Sequence, residues 1–285
     1  MSSETSRPGP PFENARALIY GAAQGIGQAA AVEFARRGAK VAIADINLAG
    51  AEETVSMIQA EGGQAVAIAC DVTVEDSVRA AADAAERGLS GEIDIVMNNV
   101  GAILSGLPED IPTSEWRRII DLDLFSIIYS NQVFLPKLIA RGRGHIVNTG
   151  SFAGLYPYAV NRIPYVAAKA AVIAISEGLA LHLHPQGIRV SCFCPGPVMT
   201  TMANTMKTWT PNAPFRGPGS QYDVITPAQS AVILADGMRD GRVIIPTDEK
   251  VWPVIQSHAA SPDAFIAAKI AAFEAGDSGL PMPKR

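Results

Sequence analysis

Cysteine is almost missing from the chain. Its 285 residues hold three, Cys70, Cys192 and Cys194, an odd number too small for a disulfide framework and one that fits a reducing compartment. Cys192 and Cys194 stand two apart, but no second Cys or His pair lies at zinc-site spacing and both fall in the apolar run SCFCP. They read as buried core thiols, and no metal is expected. An excess of positive charge is missing too: Lys+Arg number 23 against 28 Asp+Glu, a net charge of -5 of mixed sign that leaves no basic face for nucleic acid. No apolar run approaches the roughly 18 residues that span a bilayer. The opening MSSETSRPGP lacks the apolar stretch of a signal peptide, so a cytoplasmic protein with no membrane partner is expected. Repeats of solenoid length and long polar tracts are absent as well, which excludes solenoid, collagen-like and coiled-coil architectures.

What is there is 48% hydrophobic, enough for a sizeable core. Residues 1–13, rich in Ser, Pro and Gly, read as a flexible tail, and 14–285 as one domain. Within that domain ALIY, an amphipathic stretch from Gln28 to Arg37, and VAIAD read as strand, helix, strand. Further strand candidates are AVAIAC, IDIVMN, HIVNTG, IRVSCF and RVIIP, separated by helical stretches near 50–61, 75–87, 113–141, 164–183 and 226–238. Apolar strands alternating with helices predict an α/β fold, a doubly wound parallel sheet covered on both faces. Two segments break the rhythm. Residues 199–225 mix Met, Thr, Trp, Pro and Gly without a period, as a lid does, and 247–285 form a C-terminal extension with an Ala-rich helical pattern, AFIAAKIAAFEAG.

Gly21-Ala22-Ala23-Gln24-Gly25-Ile26-Gly27 follows the first strand and opens the first helix. Glycines there let the backbone turn tightly and approach a pyrophosphate, while the helix N-terminus offers unpaired N–H groups. No Gly-Lys-Ser/Thr follows, so this is not the turn of a nucleoside triphosphatase. Asp45, 18 residues after Gly27, ends the second strand where a dinucleotide fold places the acid that accepts from the adenosine ribose. A carboxylate there repels a 2′-phosphate, and no Arg or Lys stands inside the turn or directly after Asp45. NAD is therefore expected over NADP, with Gln24 in the turn and Ile46 beside Asp45 among its contacts.

Tyr165 and Lys169 lie four apart in a helical stretch and so share one face. An ammonium beside a phenol favours the phenolate, which makes the pair a proton acceptor for a hydroxyl. Ser151 follows the strand HIVNTG, at the carboxyl end where parallel sheets bind ligands. Together with Asp71-Val72, Asn98-Asn99-Val100-Gly101 and Pro195-Gly196-Pro197-Val198-Met199-Thr200, these residues resemble the short-chain dehydrogenase/reductase family over about residues 15 to 246. The resemblance implies a Rossmann-type sheet of about seven strands. It implies Tyr165 as general acid/base, Lys169 on the nicotinamide ribose and Ser151 on the substrate oxygen. Asp71 and Val72 would flank the adenine, Asn99 and Gly101 line the cofactor, and Pro195, Val198 and Thr200 hold the carboxamide end. A homodimer or homotetramer built through the long helices is implied as well.

Four departures from the family pattern stand out. Tyr20 replaces a Thr, Val100 replaces an Ala, and Ser151 to Tyr165 is one residue longer than usual. Asp123 stands where the family places an Asn that relays protons to the lysine, which puts a charge beside Lys169 and makes Asp123 part of the catalytic set. Past Ile245 the pattern is lost. For the substrate, Met199, Met202, Met206 and Trp209 of the lid, with Phe152, Leu155, Tyr156 and Tyr158 after Ser151, suggest an adaptable apolar wall. Phe152, Tyr158, Met202 and Met206 are the expected contacts of a hydrophobic or aryl secondary alcohol or ketone. His182 and His184, two apart on a helix, face different ways and read as surface residues. An NAD-dependent alcohol dehydrogenase is the leading expectation. An epimerase or lyase on the same scaffold, or an NAD-binding sensor without turnover, are its alternatives.

Overall fold

The computed structural model describes residues 12–281, without the side chain of Ala203. Strands buried on both faces need continuous apolar runs rather than alternating ones. Those runs become β1 (Arg16–Tyr20), β2 (Lys40–Asp45), β3 (Ala65–Ala69) and β4 (Ile95–Asn98), followed by the two-residue β5 (Leu104–Ser105). Next come β6 (Gly144–Thr149), β7 (Ile188–Cys194), the two-residue β8 (Lys207–Thr208) and β9 (Ile244–Pro246). The large sheet is parallel throughout, in the order β3-β2-β1-β4-β6-β7-β9, which is the expected seven-stranded doubly wound sheet. Its order reverses between β1 and β4, where such sheets bind ligands at their carboxyl ends.

The helices are α1 (Gly25–Arg36), α2 (Leu48–Ala60), α3 (Glu75–Gly88), α4 (Thr113–Ile120), α5 (Ser126–Arg141), the one-turn α6 (Phe152–Leu155), α7 (Ile163–Leu183), α8 (Pro227–Arg239), α9 (Val251–Ala260) and α10 (Pro262–Glu274). Successive strand residues face opposite ways and divide the core in two. Ile19, Ile43, Met97 and Phe193 pack with Phe34 of α1, Ile58 of α2 and Leu234 of α8. Leu18, Ala42, Val96 and Ile146 pack on the other face with Val78 of α3, Phe134 of α5 and Leu183 of α7. Each such side chain contributes about 1.5–3 kcal/mol of hydrophobic stabilisation. A third cluster around Phe152, Tyr156, Tyr158 and Tyr222 continues into Trp252 of α9 and Phe265 of α10, so the C-terminal extension packs beside the strand ends.

Several expectations are corrected. The single helix expected over 113–141 is broken into α4 and α5 by a π-helical turn, Asp121–Phe125, the kind of inserted turn that concentrates at functional sites. Phe12, assigned to the tail from sequence, is buried and stacks on Phe34 at 4.8 Å under the Arg37 guanidinium, because the start of the fold needs an apolar plug at the end of α1. The remaining tail residues 1–11 lie outside the described residues. Among the described residues one helix, Ile163–Gln186, is long and apolar enough to cross a membrane by length and composition, contrary to the reading that no stretch is. It packs against β7 and carries Tyr165 and Lys169 to the strand ends, with a third of its apolar window buried. The 199–225 segment is partly ordered: a 3-10 turn over Thr201–Thr205 leads into β8, which pairs in parallel with β5. All three cysteines are buried, as expected of core thiols, and His182 and His184 are exposed.

Candidate active site

The carboxyl ends of the strands open into a cleft of about 530 Å³. The glycine turn forms one wall. Gly21 and Gly25 hold φ of +76° and +63°, and a Cβ on Gly21 would stand 2.7 Å from Val100 Cγ2, so the left-handed backbone and the space both require glycine. Gly27 does not line the cleft. A Cβ there would sit 2.1 Å from the Gly21 carbonyl, so its role is to let α1 pack against the turn. Gln24 at the N-cap of α1 accepts from Thr201 Oγ1 at 3.0 Å rather than from the helix, which leaves the first N–H groups of α1 to an anion in the cleft.

Asp45 lies across the turn. Its Oδ2 accepts from Ala23 N at 3.0 Å and its Oδ1 from Asn47 N at 2.9 Å, which fixes the carboxylate at the cleft rim beside Ile46. Asp71, whose Oδ1 accepts from Thr73 N at 2.9 Å, and Val72 line the same end. Asn99 donates from Nδ2 to Gly21 O at 2.8 Å and ties the β1 and β4 ends together. Gln24, Gly25, Ile26, Asn99, Gly101, Pro195, Val198 and Thr200 are all in the wall. These residues fit a dinucleotide, which would place its pyrophosphate at the uncapped helix start and its ribose diol at the held carboxylate.

At the other end stand Ser151, Tyr165 and Lys169, all buried and all in the wall. Ser151 caps α6, and its Oγ accepts from Ala153 N at 3.1 Å, which leaves its own proton to donate into the cleft. Lys169 Nζ donates to Thr149 O at 3.1 Å and lies 5.6 Å from the Tyr165 ring centre. Asp123 is fully buried behind this set and outside the cleft wall. Its Oδ1 accepts from Ala102 N at 2.8 Å and its Oδ2 is 3.3 Å from Lys169 Nζ, so it acts on the cleft through the lysine. Burial opposes the charge on both partners. It pushes the Asp123 carboxyl up despite Lys169, whereas for Lys169 burial is opposed by the Asp123 charge and hydrogen bond together with Tyr165 and Cys192, which jointly hold the ammonium above its ordinary value. Gly101 is needed here as well, since a Cβ would approach Lys169 Nζ to 3.1 Å and Asp123 Oδ2 to 3.2 Å.

Of the expected substrate contacts, Ser151, Tyr158 and Met202 line the cleft and two do not. Phe152 is wholly buried behind it, edge-on to Tyr222 at 5.0 Å and against Gly196, because the α6 turn points its ring into the core. Met206 stands outside the wall, since the chain has by then turned into β8. Met199, 63% exposed, and Trp209 are also outside, and Tyr156 is spent on Pro218 O, to which its hydroxyl donates at 2.9 Å. In their place stand Ile103, Arg162, Phe215, Gly217, Pro218, Leu280 and Pro281. Arg162 was detectable as a cation one turn before Tyr165. The residues 280–281 carry no local signal.

A sheet, turn and Ser, Tyr and Lys set of this kind define a dinucleotide-dependent oxidoreductase. The short chain dehydrogenase profile matches residues 15–211, and the chain belongs to that family. Over 192 residues it is 36% identical to a cyclohexanol dehydrogenase of Acinetobacter sp. (strain SE19), covering 67% of this chain and 76% of that one. A 7alpha-hydroxysteroid dehydrogenase of Escherichia coli (strain K12) is also 36% identical, over 67% of this chain and 74% of its own. A 3-oxoacyl-(acyl-carrier protein) reductase with bound NAD, from Brucella melitensis, superposes with a TM-score of 0.70 at 29% identity, covering 87% of this chain and 95% of that one.

Proposed function

We propose that the protein is an NAD-dependent oxidoreductase that interconverts a hydrophobic secondary alcohol and its ketone. The observation that carries this reading is the single cleft with Asp45 and the glycine turn at one end and Ser151, Tyr165 and Lys169 at the other. Similarity to enzymes named for cyclohexanol and for a hydroxysteroid favours a cyclic alcohol. Asp45 and Asp71 make the adenosine end acidic, and the cationic side chains of the wall, Arg162 and Lys169, belong to the other end. That distribution favours NAD over a 2′-phosphorylated dinucleotide.

A bound nicotinamide supplies the acceptor for the hydride. Ser151 donates to the substrate oxygen and holds it against Tyr165. Tyr165 takes the carbinol proton during oxidation and returns it during reduction. Lys169, already donating to Thr149 O, keeps a further N–H for a ribose hydroxyl and its positive charge beside the phenol. The apolar wall of Tyr158, Met202, Phe215 and Leu280 excludes water from the carbon that changes hybridisation. Initial rates of NADH formation with cyclohexanol and a hydroxysteroid, with NADP in parallel, test the reading. Tyr165→Phe is expected to lower kcat by about 10²–10⁴, while NADH binding, followed by fluorescence, is kept. Retained turnover in that variant overturns the proton role, and a preference for NADP overturns the role of Asp45.

A further inference from the structure

Arg162 puts a positive charge into the substrate end of the cleft with no negative charge among the described residues to meet it. It immediately precedes α7 and lines the wall with Ser151, Tyr158, Tyr165 and Phe215. Its Nη2 donates to the Arg216 carbonyl at 2.7 Å, and its guanidinium stacks on the Phe215 ring with 4.2 Å to the centroid. Tyr158 lies on another side at 5.9 Å. Nε is buried and has no hydrogen-bond partner, and no described carboxylate forms an ion pair with this guanidinium. Lys169, the other cation of the wall, is paired with Asp123, and the wall's acids, Asp45 and Asp71, stand at the adenosine end, bonded to the glycine turn and to their own loops. Burial weakens the hold of Arg162 on its proton.

An arginine packed over a ring, largely buried and with its Nε unpartnered, is costly unless a partner arrives. The planar fork matches a carboxylate in two parallel hydrogen bonds. We propose that Arg162 receives a carboxylate carried by the substrate, so that the substrate class is a cyclic hydroxy acid and its oxo acid, with the carbinol at Ser151 and Tyr165 and the anion at Arg162. The anion site deepens the alcohol dehydrogenase reading and rests on it for the reacting end. The apolar wall then grips the ring between the two polar ends, which orients the carbinol hydrogen and separates the true substrate from neutral alcohols of equal size. A purely structural Arg162, bracing the 215–216 segment, treats charged and neutral ligands alike.

Two ligands without a carbinol, cyclohexanecarboxylate and cyclohexanecarboxamide, separate these roles by calorimetric titration into the full chain with saturating NAD. The carboxylate is expected to bind tighter than the amide by roughly tenfold to a hundredfold, the worth of a charged hydrogen bond. Arg162→Met brings that ratio close to one and Arg162→Lys leaves part of it. Equal affinity for both ligands in the native protein, or a ratio unchanged in a folded Arg162→Met, overturns the proposal. If the methionine variant does not fold, the native ratio and the lysine variant decide. Rates with 3-hydroxycyclohexanecarboxylate and its methyl ester keep the two readings apart. Tight carboxylate binding without oxidation of either compound removes the dehydrogenase reading and leaves the anion site, and equal oxidation of both with no carboxylate preference does the reverse.

Discussion

Asp123 and Lys169 form a buried ion pair, with Lys169 in the cleft wall, Asp123 behind it and Arg118 the further cation that acts on Asp123. A buried pair of this kind is costly to assemble and costlier to break. In Asp123→Asn the amide oxygen still accepts from Ala102 N, but Lys169 keeps its burial and loses its counter-charge. Lys169 then gives up its proton more readily, so the rising limb of kcat/KM against pH is expected to move down by about one unit. A limb that does not move shows that Asp123 carries no charge. His145 in β6 makes the fold sensitive to acid. It is buried, with Nε2 at 2.9 Å from Ser191 Oγ, and burial, helped by Arg189, lowers its pKa to about 3. The unfolded chain takes up this proton as pH falls past about 6.5, whereas the folded chain waits until about 3, so stability present above 6.5 is lost progressively below it. By pH 5 the loss is about 2 kcal/mol. Urea unfolding at pH 7 and pH 5 measures it, and His145→Gln is expected to shrink the difference by that amount.

The element that departs furthest from the sequence reading is the C-terminal extension. Gly217 N donates to Ser278 O at 2.9 Å and Gly219 N to Gly279 O at 2.8 Å, so 217–219 and 278–279 run together as a backbone strap. Arg216 Nη1 donates to Asp277 O at 3.1 Å and its guanidinium lies 4.4 Å from the Phe273 ring centre. The strap carries Leu280 and Pro281 into the cleft wall. A Cβ on Gly217 would stand 2.3 Å from Gly279 O, so the two chains approach this closely only because glycine is there. Leu280→Ser is expected to raise KM for a hydrophobic alcohol by roughly threefold to tenfold, about 1 kcal/mol of lost apolar contact, with kcat little changed. Gly217→Val, which displaces the strap, raises it further. Steady-state kinetics on the two variants read both effects, and an unchanged KM separates the strap from substrate binding. The strap was invisible in the sequence because backbone pairing between residues 60 apart leaves no side-chain pattern. The π-helical turn at Asp121–Phe125 was missed for a related reason: one inserted residue hardly disturbs the apolar period of WRRIIDLDLFS.

At the scale of the whole molecule, α7 presents apolar residues that the other described residues leave uncovered. Its membrane-length segment has a mean hydropathy of 1.5 with a third of the window buried, and Leu181 is 82% exposed. A second copy packing along α5 and α7 is the proposed cover, since closed symmetric pairs bury such faces. Multi-angle light scattering is expected to give a multiple of the 30.0 kDa chain, two or four copies, and Leu181→Glu to shift it toward one. A monomer at micromolar concentration contradicts the proposed assembly.

Much of the fold and one half of the site were legible from residues alone. Continuous apolar runs ending at Tyr20, Asp45, Asn98, Thr149 and Cys194 declare parallel strands, and whatever follows such a strand stands at the binding edge. Gly21, Gly25, Asp45, Ser151, Tyr165 and Lys169 could be read because each is local to an element end. The substrate end was different. Phe152 and Met206 were expected in the wall and are not, while Phe215 and Leu280 are, because which side chain faces a cleft depends on contacts between distant segments. Local periodicity therefore determined the sheet, the glycine turn and the face of α7 that carries Tyr165 and Lys169. Packing alone decided that Asp123 meets Lys169, that the C-terminal strap closes the wall, and that Arg162 meets no anion among the described residues, since charge pairing and cleft shape are properties of neighbours in space rather than along the chain.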